Sequence, residues 1–182
     1  MLQQRADLRH GKELFETCAA CHGSDGAGQN DATVPAVAGQ PVPFIAGQLV
    51  YFRQAKRDDE RMEHFADEHH LLGAHDIADV ATYISRLPPR HASDHGDGQY
   101  TARGARLYRS QCASCHGPSG EGTRHNSYPR LGGQHYEYLL RQLRGVEADE
   151  RPDFVTQHGP LLRGRSPADL MGLADFLSRL GH

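Results

Sequence analysis

The chain has no tryptophan, three methionines and four cysteines in 182 residues. Lysine is scarce too, with Lys12 and Lys56 standing against 18 arginines. No apolar run approaches the roughly 20 residues that a membrane-spanning helix requires, and no signal-peptide pattern is visible. The formal net charge of −3 argues against the basic face of a nucleic-acid binder. Only 37% of the residues are hydrophobic and the mean hydropathy is −0.67. Split into two domains, such a chain would have thin cores built from side chains alone.

The few cysteines are concentrated. All four fall in two copies of one pattern, Cys18-Ala-Ala-Cys21-His22 and Cys112-Ala-Ser-Cys115-His116. A Cys-x-x-Cys-His run lets two thiols form thioethers to the vinyl groups of one haem, with the following histidine under the iron. Disulfides, a thioredoxin-like redox pair or a zinc site are the alternatives for Cys-x-x-Cys. None of them explains a histidine directly after both pairs. Two covalently bound c-type haems are therefore expected, each with a large apolar surface that helps complete a thin core. Arginine suits bidentate pairing with the haem propionates.

The two motifs belong to a longer internal repeat. Cys18 and Cys112 stand 94 positions apart, as do His22 and His116, Pro35 and Pro129, and Gly39-Gln40 and Gly133-Gln134. Gln48-Leu49 and Gln142-Leu143 keep the same offset. At the flanks it slips by one, from Gly11 to Gly104 and from Ser85-Arg86-Leu87 to Ser178-Arg179-Leu180. The spacing predicts one domain over residues 1–90 and another over 101–182. A linker rich in Pro, Gly and Asp joins them at about 88–100.

Each half reads as mainly helical. Helices are expected over Leu8–Cys18 and Thr101–Cys112, then over Pro43–Arg57 and His135–Gly145. In the last helix Ile77, Val80, Ala81 and Ile84 recur at i, i+3, i+4, i+7, and Leu170, Leu173, Ala174 and Leu177 repeat the pattern. Asp76 and Ser166 lie near the starts of these helices, where capping is expected. The stretches after the haem motifs read as Gly-rich loops and irregular chain.

The second axial ligand separates a closed electron carrier from a site that binds small molecules. Of the methionines, Met1 is terminal and Met171 falls in the last helix's apolar pattern. His64 and His158 share the 94-residue offset, each 42 positions beyond its proximal histidine. The repeat therefore predicts His22 with His64 and His116 with His158, with Met62 the alternative to His64. His69, His70 and His75 stand nearby without a repeat mate at that offset.

With these residues in view, the chain resembles the dihaem cytochromes of the c4 type, tandem class I cytochrome c domains. The likeness rests on both haem motifs, Pro35-Ala-Val-Ala-Gly39-Gln40, Pro129-Arg-Leu-Gly-Gly133-Gln134 and Tyr136-Glu-Tyr138-Leu-Leu-Arg-Gln142-Leu143. It implies an all-α fold and a periplasmic electron carrier, soluble or membrane-attached, working with redox proteins that include a membrane-bound partner. It also implies that the carbonyls of Pro35 and Pro129 accept hydrogen bonds from His22 and His116. Gly11, Phe15, Gly104 and Tyr108 would sit where first and last helices cross, near Tyr83 and Phe176. The family uses methionine on both irons; this chain has His158 at the second such position, while the family pattern favours Met62 at the first. Bis-histidine ligation would lower the potential. The alternatives to a carrier are a dihaem enzyme, peroxidase-like or oxidising sulfur compounds, and a haem-based gas-binding module with a labile distal ligand.

Overall fold

In the computed structural model, residues 6–123 and 127–181 are described; Met1, His125 and His182 lie outside them. The elements are nine helices among these residues: α1 (Leu8–His22), α2 (Val42–Arg53), α3 (Glu60–Phe65), α4 (Ala74–Arg86), α5 (Thr101–Gln111), α6 (Ala113–His116), α7 (Tyr136–Glu147), α8 (Pro152–Leu162) and α9 (Pro167–Ser178). No helix among them is long and apolar enough to cross a membrane.

Local chemistry explains the boundaries. Asp7 caps α1, accepting from the N–H groups of Arg9 and His10 at 2.8 and 3.2 Å. The helix runs through the first haem motif and stops at Gly23, whose φ of +78° suits a residue without Cβ. In the second half the same stretch breaks at Cys112 into α5 and α6. Ser166 caps α9 in a reciprocal capping box with Asp169. Asp76 lies inside the first turn of α4, where Gly73 is the cap residue; its carboxylate accepts from Leu72 N–H at 2.8 Å. Helices α3 and α8 lie between the second and last helices of each half, in stretches to which the apolar spacing assigns no element. Their apolar positions are too few to show a helical period.

Two cores form, one per half. Phe15, Ile45, Leu49, Phe52 and the inner face of α4 make the first; Tyr108, Leu139, Leu140 and the inner face of α9 make the second. First and last helices cross at glycine. A Cβ on Gly11 would come within 2.2 Å of the Asp79 carbonyl oxygen, and one on Gly104 within 1.9 Å of that of Gly172. Beside these crossings Phe15 packs on Tyr83 and Tyr108 on Phe176, with ring centroids 5.4 and 5.6 Å apart.

The halves meet through matching polar contacts that repeat mates make to the opposite half. Gln40 and Gln134 each reach into the other half, and so do Arg57 and Arg151. Chain 88–96 is docked rather than free. Ala92 N–H donates to the Gly133 carbonyl at 2.8 Å, and Asp94 accepts from His135 Nδ1 at 2.5 Å and Tyr136 N–H at 2.8 Å. The other nitrogen of the buried His135 lies 2.9 Å from the Ala27 carbonyl of the first half.

Candidate haem sites

One connected cavity of about 1010 Å³ opens into both halves, and all four motif cysteines and both motif histidines line it. That volume is at the upper edge of a pocket for one small ligand, for which about 300–1,000 Å³ is usual. None of the four cysteines is paired in a disulfide. Before any attachment, burial among apolar walls pushes the Cys18 and Cys112 thiols up to about 11.

Each motif histidine is held in the same way. His22 Nδ1 lies 3.0 Å from the Pro35 carbonyl oxygen, and His116 Nδ1 lies 3.1 Å from that of Pro129. With Nδ1–H donating to the carbonyl, Nε2 keeps its lone pair for a metal. Burial lowers the pKa of both rings, partly offset by these carbonyls, which favours the neutral form that ligates.

The remaining predicted ligands are treated unequally. His158 is half-buried on α8 and faces His116 across the cavity, with ring centroids 5.9 Å apart. Two imidazoles at this spacing can share one ion, each through a bond of about 2 Å. Its Nδ1 lies 3.3 Å from the Phe154 carbonyl, and burial lowers its pKa too.

His64 is placed differently from the repeat-based expectation. Its side chain is 63% exposed and is absent from the cavity wall, whereas Met62 and Phe65 both line the wall. The reason is helical register. On α3, residues 62 and 65 share a face, while a residue two positions on is turned by roughly 200°. His64 instead stacks edge-on against Phe65 and His70, beside Asp67. His70 Nδ1 lies 3.0 Å from Asp67, and this bond is the main cause holding that carboxyl well below its usual range. On α8, Phe154, Gln157, His158 and Leu161 line the cavity. The 94-residue offset of the two histidines thus joins an exposed ring on α3 to a cavity-lining ring on α8.

The walls fit a large, flat, apolar group with acidic edges. Phe15, Ile45 and Leu49 line the first side, and Tyr108, Leu139 and Leu162 the second. Arg130 also lines the cavity, with its buried Nε lacking a hydrogen-bond partner, a position suited to a carboxylate such as a propionate. Arg57 and Arg151 converge on Gln48 and Gln142: Arg57 donates to both amide oxygens, at 3.2 Å to that of Gln142, and Arg151 does likewise, at 3.5 Å to that of Gln48. Asp153 pairs with Arg151 at 2.8 Å. Burial alone would raise its pKa, but Arg151, Arg57 and Gln48 together hold it below its usual range. Sequence reasoning missed the two arginines, although they stand 94 positions apart; that signal could have found them.

Comparison with known proteins agrees with this geometry. The family model for cytochrome c matches residues 8–88 and again residues 101–180. Cytochrome c4 of Pseudomonas aeruginosa is 30% identical over 145 residues, covering 75% of this chain and 69% of that protein. A thiosulfate dehydrogenase electron acceptor of Thiomonas intermedia is 34% identical over 144 residues, covering 74% of this chain and 64% of that protein. The crystal structure of reduced recombinant cytochrome c4 from Pseudomonas stutzeri superposes with a TM-score of 0.86 at 25% identity, covering 97% of this chain and 100% of that one. The chain belongs to the cytochrome c family and is a dihaem electron-transfer protein of the c4 type, with two tandem domains and a haem-binding site in each.

Proposed function

We propose that the chain carries two thioether-linked haems with unlike axial ligands: His22 and Met62 in the first half, His116 and His158 in the second. The observation that carries this reading is that Met62 and His158, but not His64, line the cavity along with the two buried motif histidines. Haem, when bound, supplies one-electron chemistry. The protein's residues fix the ligands, exclude water and hold the propionate edges near Arg57, Arg130 and Arg151.

Filling both axial positions with protein donors suits a carrier better than a peroxidase or gas-binding module, which needs an open or labile site. The thioether should place the first haem at higher potential than the bis-histidine second haem, because Met/His ligation raises potential. Such a pair passes an electron from the second site to the first. The likeness to the Thiomonas electron acceptor makes a dehydrogenase of reduced sulfur compounds a reasonable donor class. A membrane-bound oxidoreductase is the matching acceptor class. The chain would work in the periplasm, the side on which bacterial c-type haems are attached.

An oxidised-state spectrum tests the asymmetry. The parent should show the weak methionine–iron band near the red edge of the visible, at half the strength expected for two such sites. Met62→Ala should abolish it and His64→Ala should leave it intact. A band that is missing from the parent would return the first site to His64, and one that survives in Met62→Ala would assign the thioether to another methionine.

A further inference from the structure

Gln40 and Gln134 are repeat mates on the loops that carry Pro35 and Pro129, and each is buried. Each reaches across to the other half. Gln134 Oε1 accepts from the Ala36 N–H at 2.9 Å, and its Nε2 donates to the Ala36 carbonyl at 2.8 Å. Gln40 does the same to Arg130, accepting from its N–H at 2.9 Å and donating to its carbonyl at 2.8 Å.

The chemistry lies in which peptide unit is held. The Ala36 N–H belongs to the same planar amide as the Pro35 carbonyl that faces His22. A hydrogen-bonded chain therefore runs from the Gln134 amide oxygen through that peptide to the His22 ring, across the interface. A mirror chain runs from Gln40 through the Pro129–Arg130 peptide to His116. Accepting from an amide N–H polarises the amide and makes its carbonyl a better acceptor. A better acceptor at Nδ1–H makes the imidazole a stronger donor through Nε2. Apolar contact alone could bury this area, but it would not fix the plane of either peptide.

We propose that Gln40 and Gln134 are positioning residues acting across the domain interface, Gln134 tuning the His22 site and Gln40 tuning the His116 site. This rests on both histidines being proximal haem ligands, and it is independent of which residue fills either sixth position.

The test uses the dihaem holoprotein with Gln134→Leu and Gln40→Leu introduced singly. Two quantities are followed: the potential of each haem, and the NMR signal of each proximal ring Nδ1–H in the reduced protein. Gln134→Leu should raise the potential of the haem on Cys18 and Cys21 and move the His22 signal upfield, with changes at His116 several-fold smaller. Gln40→Leu should give the mirror result. Gln134→Glu, which keeps the acceptor oxygen, should hold the His22 signal near its parent position. If a leucine variant fails to load haem, the asparagine variant, one methylene too short to reach, gives the same readout. Folded variants that perturb only their own half, both halves equally, or neither would overturn the proposal. Absence of any haem-shifted proximal ring signal in the parent would sink the haem assignment itself, a failure distinct from the others.

Discussion

At the residue scale the second haem site turns on His158. Its ring faces His116, and burial favours the neutral ligating form. His158→Ala should leave that iron with a replaceable ligand. Carbon monoxide should then bind the reduced protein at neutral pH, with a stoichiometry of one per chain. His158→Met should stay closed to carbon monoxide and raise that haem's potential, because a thioether donates less well than imidazole to ferric iron. An unchanged spectrum and potential in His158→Ala would make His158 a wall residue only. The haem-attaching residues could be read from sequence because the motif is contiguous. The distal ligands could not be read so directly. They depend on the face each residue takes on α3 and α8, and spacing from the haem motif does not set that face. Met62 and His64 differ by two positions and so by slightly more than a half-turn.

At the scale of single elements, α9 shows how much a boundary contributes. Ser166 and Asp169 satisfy each other's backbone N–H groups, and Arg103 of α5 donates to the Asp169 carboxylate at 2.5 and 2.9 Å. Ser166→Ala should cost about 1 kcal/mol, as loss of a helix N-cap usually does, measurable by denaturant unfolding of the holoprotein. The Arg103 bond is the largest cause bringing Asp169 down from an ordinary 3.8 to about 2. A carboxyl whose pKa is lower in the folded state stabilises the fold fully above about pH 4 and loses that contribution as pH falls toward 2. Asp169→Asn should flatten the acid limb of the stability profile in this window. An acid limb identical to the parent's would show that Asp169 is as easily protonated folded as unfolded. The long amphipathic helices were legible from their apolar spacing, and Ser166 from its place before one of them. Asp76 misled because an acidic residue suits both a cap and a first turn. The break at Cys112 has no counterpart in the first half and left no mark in the pattern.

At the scale of the whole molecule the repeat was legible, but the use made of it was not. Residues 94 apart reveal duplication; only the fold shows that Gln40 and Gln134, and Arg57 and Arg151, each reach into the opposite half. The chain joining the halves was expected to be a linker, and its composition says no more than that. In the structure residues 88–96 belong to the interface. Arg90 pairs with Asp25 of the first half at 3.2 Å, while Asp94 serves His135 and Tyr136 of the second. Asp97, Gly98 and Gln99 beyond it are exposed. A protease cut there should leave the docked segment attached to the first half. The nicked protein should therefore sediment as one particle at micromolar concentration, with both haems retained. Adding Asp94→Ala to the nicked form would leave the buried His135 ring and the Tyr136 N–H without this acceptor. An unsatisfied buried donor costs about 1–3 kcal/mol. At about 1.4 kcal/mol per factor of ten, dissociation into halves should strengthen by tenfold or more. Analytical ultracentrifugation across a dilution series measures both states. Separation of the nicked parent into halves at micromolar concentration would mean that covalent connection, rather than the docked segment and the paired glutamines and arginines, keeps the two haem sites together.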